Sequence, residues 1–122
     1  MIDKVLTFGA VTGEPDIDYP KPERLVRGNP RRATLNLYTD PAGQFSCGVW
    51  NCEAGAWNID FPLGKDEFFH VLEGRIRITG PTGRAEEFGP GDSGVIPAGF
   101  KGLFEVLEPV RKHYVVSDRS GS

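Results

Sequence analysis

Glycine and proline placement constrains this chain more than any other feature of its sequence. Sixteen glycines and ten prolines among 122 residues cut it into runs of about four to eight residues, many of them β-branched or aromatic, and no window repeats at the helical period. A helix of ordinary length does not fit between these breaks, so the chain reads as all-β. Strands are expected near Lys4 to Phe8, Ala33 to Tyr38, Phe45 to Cys52, Ala56 to Asp60, Glu67 to Leu72, Arg75 to Thr79, Ala85 to Phe88, Ser93 to Ile96, Leu103 to Leu107 and Lys112 to Val116. Turns are expected at Glu73-Gly74, Gly80-Pro81-Thr82-Gly83 and Gly89-Pro90-Gly91-Asp92. Such a meander closes into a barrel or jelly roll.

At this length one hydrophobic core is expected and a second has no room. Residues 1–32 read as a first strand followed by a Pro/Arg-rich arm. In that arm Pro15, Pro20, Pro22 and Pro30 leave no place for a core strand, and Arg24, Arg27, Arg31 and Arg32 make it locally basic. Residues 33–117 form the barrel, and 118–122 are expected to fray.

A net charge of −3 gives no field that would hold a polyanion, so nucleic acid is not an expected partner. No apolar run approaches the roughly 20 residues that span a bilayer, and Met1 to Ala10, with Asp3 and Lys4, lacks the basic start and long apolar core of a signal peptide. No membrane partner and a cytoplasmic location are therefore expected. Cys47 and Cys52 are oddly spaced on one strand, which sends them to opposite faces and prevents a mutual bridge. Reduced thiols fit the cytoplasm.

Two segments carry a more specific signature, Asp66-Glu67-Phe68-Phe69-His70-Val71-Leu72-Glu73-Gly74 and Gly91-Asp92-Ser93-Gly94-Val95-Ile96-Pro97-Ala98-Gly99-Phe100-Lys101-Gly102. They resemble the two cupin motifs: an apolar strand that follows a metal-ligating Glu and ends in a Leu-Glu-Gly turn, and then the pattern G-x5-P-x-G-x2-H. Together with Gly48-Val49-Trp50 and the terminal Val110-Arg111-Lys112-His113-Tyr114-Val115-Val116, they are similar to a branch of small single-domain cupins. That branch includes the (S)-ureidoglycine aminohydrolase cupin domain and the ethanolamine-utilisation cupin. The resemblance implies a cupin-type double-stranded β-helix, a jelly-roll barrel with a ligand pocket at one open end, preceded here by the irregular arm. It also implies a homodimer.

The resemblance further implies a metal held by three histidines and one glutamate, a donor set that suits first-row transition ions. This chain has two histidines, so a three-histidine site cannot form within one subunit. The usual H-x-H positions fall on Asp60 and Pro62, or on Phe61 and Leu63, and the ligand position of the second motif is Gly102. Glu67 alone retains its ligand position, and no metal cofactor is expected in the usual form. An alternative is a carboxylate-rich site for a hard ion, with Asp60 joining Glu67 and waters completing the shell. His70, three residues after Glu67, should face away from it. His70 and His113 both read as structural.

Glu67 is the candidate catalytic residue. A carboxylate inside a barrel is hydrogen-bonded or ion-paired, or stays protonated, or faces a ligand as general acid or base, and the sequence leaves all three open. The expected ligand pocket combines Glu67 with Phe69, Trp57, Asp60, Lys101 and Phe104, with Lys101 pairing with Glu67 or with an anionic ligand, or else standing as a solvated surface lysine. Large rings are the ordinary filling of a small barrel, yet a subset near the mouth makes an apolar small-molecule site with few polar groups. The partner expected is thus a small molecule. The function expected is binding, with hydrolysis or isomerisation of a small nitrogenous or carboxylated metabolite as the enzymatic form. The competing reading is a sensing or scaffold module whose barrel is filled by its own side chains. Cavity volume discriminates the two.

Overall fold

The computed structural model describes residues 3–10 and 12–119, with the side chain of Ala10 excepted. Nine strands run in chain order: β1 (Asp16–Asp18), β2 (Leu25–Arg27), β3 (Arg32–Thr39), β4 (Phe45–Cys52), β5 (Gly55–Asp60), β6 (Lys65–Thr79), β7 (Ala85–Phe88), β8 (Ser93–Ile96) and β9 (Lys101–Asp118). All pairing is antiparallel.

Two long strands build the barrel. The second half of β9 pairs with β4 on one side and with the first half of β6 on the other, while its first half pairs with β5 and with the second half of β6. Strand β6 likewise takes β8 at its start and β7 at its end. One sheet therefore runs β1-β3-β4-β9-β6-β8 and the other β2-β5-β9-β6-β7, with β6 and β9 bending from the first into the second. Both bends coincide with register shifts between Val71 and Ile76. This is a jelly roll.

Gly74 shows how the bend is made. The sequence reading placed a turn at Glu73-Gly74 and two separate strands, but β6 continues through that point as a bulge. Gly74 has φ +84°, and a Cβ on it would overlap the carbonyl oxygen of Pro109, so only glycine lets the two bending strands close on each other. The two strands expected within 103–116 are likewise one, β9. Residues Lys4 to Thr7 form no strand, and a short 3-10 turn at Phe8–Ala10 follows; Val5 is 86% exposed and no neighbouring strand offers a ladder. The arm carries two short strands after all. Each has three residues and lies at the outer edge of its sheet, the position proline-rich segments tolerate. The tail expected to fray from Asp118 begins inside β9, where the Asp118 N–H donates to Gln44 O at 2.6 Å and the Arg119 N–H to Gly64 O at 2.9 Å. Residues 120–122 lie outside the described ones.

The core lies between the sheets and follows the period of two. Phe69, Val71, Ile76 and Val106 are fully enclosed, joined by Trp57, Phe104, Ile96 and Val110. Cys47 and Cys52 are both buried free thiols. Among the described residues no helix is long and apolar enough to cross a membrane.

Candidate functional site

One end of the barrel is open. A cavity of about 310 Å³ lies there, walled by Trp50 on β4, Trp57 and Ile59 on β5, Phe61, and Phe104 on β9. The rings brace one another: Trp57 and Phe104 have centroids 5.0 Å apart, and Trp50 meets Phe104 edge-on at 5.9 Å. Such pairs are worth about 0.5–1.5 kcal/mol each beyond the area they bury.

The polar groups of this cavity come from four strands, three of which supply alternate residues while β1 supplies Asp18. On β9, Lys112, Tyr114 and Val116 face inward; on β6, Lys65 and Glu67; on β3, Arg32 and Thr34. The Lys112 ammonium donates to Glu67 Oε2 at 2.8 Å, with side chains only 5% and 14% exposed. Its remaining hydrogens meet ring faces, with Trp50, Phe69 and Phe104 centroids at 4.6, 4.8 and 5.1 Å. A buried ammonium without that carboxylate and those rings would be strongly disfavoured. Among the described residues Glu67 Oε1 has no hydrogen-bond partner and no enclosed side-chain polar atom lacks one, so Oε1 opens to the cavity.

At the mouth, Arg32 grips Asp18 with two bonds, Nε to Oδ1 at 2.9 Å and Nη2 to Oδ2 at 2.7 Å, and its guanidinium lies 5.3 Å from the Trp57 ring. Lys65 holds its ammonium 4.9 Å from the Phe61 ring. The Tyr114 hydroxyl donates to Asn36 Oδ1 at 2.7 Å. Burial, reinforced by the nearby Cys47 and Glu67, pushes that hydroxyl up to about 12, so it stays a donor at neutral pH.

The structure distributes the sequence-derived site residues unevenly. Glu67, Trp57 and Phe104 line the cavity. Phe69 lies beneath it, fully buried, with its ring against Lys112. Asp60 and Lys101 do not reach it: they stand opposite each other in the β5–β9 register, in a shallow outer groove with Arg24 and Pro81. The cause is phase, because Trp57 and Ile59 face inward and Asp60 follows by one residue. Lys112 takes the partnership with Glu67 that was considered for Lys101. Lys112 and Arg32 were missed as site residues, although a lysine in register with Val110, Tyr114 and Val116 on one face of a strand was a readable signal.

The residues present do not fit the metal that cupins commonly hold. No three His, Cys, Asp or Glu side chains cluster among the described residues. The carboxylate-rich alternative fails with Asp60 outside the cavity, and Glu67 already faces a cation. At Gly102 a Cβ would overlap the Thr79 carbonyl oxygen and approach the Phe100 ring at 2.8 Å, so no ligating side chain can stand there. His70 turns away to Ser93 Oγ at 2.7 Å, and His113 packs edge-on against Phe8 at 4.6 Å.

The comparisons with known proteins agree with this architecture. Residues 39–114 match the family described as the EutQ-like cupin domain. A protein of unknown function from Pseudomonas syringae pv. tomato superposes with TM-score 0.75 at 25% identity, over 84% of this chain and 43% of that one. The EutQ protein of Clostridium difficile superposes with TM-score 0.63 at 25% identity, over 75% of this chain and 65% of that one. A third, of unknown function from Rhizobium leguminosarum, shares the fold along 98% of this chain and 100% of its own, with TM-score 0.65 and 15% identity. The chain thus spans less than two thirds of the first two. No curated protein matches the sequence. The matched segment covers both bends of the barrel, β4, β5 and β6, and β9 as far as Tyr114, and the chain belongs to the EutQ-like cupin family.

Proposed function

We propose that this cupin binds a small nitrogenous or carboxylated metabolite in its barrel without a metal ion, with the Lys112–Glu67 pair as the polar contact on the cavity floor. The observation that carries the reading is the cavity itself: about 310 Å³, the lower end of the range for ligand pockets, aromatic-walled, with Glu67 Oε1 turned into it. A barrel filled by its own side chains would leave no such space. Where the bound molecule is turned over, as in a ureidoglycine-aminohydrolase-like hydrolysis, Glu67 is the group placed to move a proton. Lys112 orients its carboxylate and offsets its charge.

A thermal-shift screen against ureides, amino acids, sugars and small carboxylates, repeated with Glu67→Gln, tests this. A metabolite that raises the melting temperature of the wild type but not of the variant supports it. A wild type that responds to nothing, together with a destabilised variant, would assign Glu67 a structural role.

A further inference from the structure

Beside the cavity lies a second groove that shares Arg32, Trp57, Ile59, Phe61 and Lys65 with it and continues outward to Lys21, Arg24 and Asp60. Within the chain's net charge of −3, this continuous space gathers five cations, Lys21, Arg24, Arg32, Lys65 and Lys112, against the carboxylates Asp18, Asp60 and Glu67. Two of those cations are spent internally, Lys112 on Glu67 and Arg32 on Asp18. Lys21, Arg24 and Lys65 form no ion pair with any described residue. Opposing them is the single unpaired carboxylate of Asp60.

From this distribution we infer that the groove is an anion-receiving vestibule, and that the ligand is a small monocarboxylate whose uncharged, mainly apolar body carries a hydrogen-bond donor for Glu67 Oε1. The inference rests on the cavity-binding reading above and adds the substrate class and its orientation. The body belongs inside, because ring faces carry negative potential and repel an anion, and because the one deep cation already has its carboxylate. The anionic end belongs at the mouth, against Lys65 and Arg24, where water and a net positive charge both favour it. The proline-rich arm thereby gains a role: its 3-10 turn at Pro22–Arg24 carries Arg24, whose guanidinium donates to Asn58 O at 3.5 Å, and presents it beside the barrel opening.

The chain has two tryptophans, and both line the cavity, so intrinsic fluorescence reports occupancy directly. Phenylacetate and hexanoate are titrated against their neutral amides, phenylacetamide and hexanamide. The carboxylate of each pair is expected to bind at least about tenfold more tightly, the worth of a hydrogen bond to a charged group, and the margin shrinks as salt is raised from 50 to 500 mM, roughly. Lys65→Met and Arg24→Gln each reduce carboxylate binding about fivefold and so narrow the preference for acid over amide, and circular dichroism spectra and melting temperatures matching the wild type show that the variants fold. Arg84→Gln, at a remote side chain 84% exposed, removes one charge without effect. Equal binding of acid and amide, or a preference that Lys65→Met leaves undiminished, overturns the anion inference and leaves the cavity reading standing. Silence from every probe at millimolar concentration overturns the monocarboxylate inference, and the cavity reading then stands or falls by the thermal-shift screen above.

Discussion

Glu67 and Lys112 form their ion pair on a diagonal. In the β6–β9 register Glu67 stands opposite Val116 and Lys112 opposite Val71, so the long lysine stem must run along the strand to reach the carboxylate. Removing either partner leaves the other charge enclosed. Lys112→Met is expected to cost about 3 kcal/mol, and the double variant Lys112→Met, Glu67→Leu to recover most of it, because paired burial of charge is not intrinsically more stable than packed apolar groups. Urea denaturation of the two single variants and the double variant measures this. A double variant as unstable as the sum of the singles would contradict it.

On the outer face of the second sheet Glu105, with its side chain 8% exposed, accepts from Arg77 Nε at 2.9 Å and from Arg27 Nη1 at 3.2 Å. The Arg77 hydrogen bond, aided by Arg27 and opposed by burial, holds its carboxyl below the usual value of 4.5. A depressed carboxylate contributes stability that is present above that value and is lost as pH falls below it. Glu105→Gln should cost about 1–2 kcal/mol at neutral pH and flatten the acid limb of a stability profile measured by urea titration from pH 7 downward. An acid limb as steep in the variant as in the wild type would assign it to other groups.

The alkaline limb has different owners. Burial pushes the Cys52 thiol up from 9.0 to about 12, against the lowering influence of Arg32 and Lys112, and raises Tyr114 from 10.0 to about 12. Groups whose folded-state values are raised contribute stability that is complete below their unfolded values and is lost as pH rises toward the folded ones. Stability should therefore fall from pH 9 to pH 12. Cys52→Ala should delay the onset of that fall. The same burial predicts that Ellman's reagent at pH 8 leaves Cys52 unmodified until urea is added. Rapid modification of the native chain at Cys52 would contradict it.

Restoring a histidine at the second-motif position should fail. In Gly102→His the new Cβ meets the Thr79 carbonyl, backbone that cannot swing aside as a side chain can, so the expected result is a loss of about 2 kcal/mol or more and no thermal stabilisation by Mn, Fe, Ni or Zn ions. A metal-dependent rise in melting temperature would show that the backbone yields and the site can be rebuilt.

Strand periodicity carried the sequence reading far, and particular residues show where it stopped. The β4 run from Phe45 to Cys52 was legible because its β-branched and aromatic residues are bounded by Gly43 and Gly55. Continuity through Gly74 was not legible, because a glycine between two apolar runs signals a turn and a bulge alike, and only the carbonyl of Pro109, distant in sequence, decides between them. Glu67 could be placed from its motif. Its partner was legible only in part: Lys112 shares a strand face with Val110, Tyr114 and Val116, but local pattern does not say which carboxylate its stem arches back to meet. Asp60 was singled out by counting back from Glu67 to the usual histidine position, where phase within β5 was the better guide to its place outside the cavity.

The β6–β9 ladder is nested. Its pairs run outward from Thr79 opposite Leu103 to Lys65 opposite Asp118, so each closed pair shortens the loop left for the next. A chain that zips from the inner end orders the bends first and brings Glu67, Lys112 and Lys65 together last. Substitutions at the mouth should then quicken unfolding and leave the refolding rate nearly untouched, whereas Ile78→Val, near the closed end, should slow refolding. The cavity entrance is in this sense the part of the molecule that opens first, a loose rim on a firmly closed base.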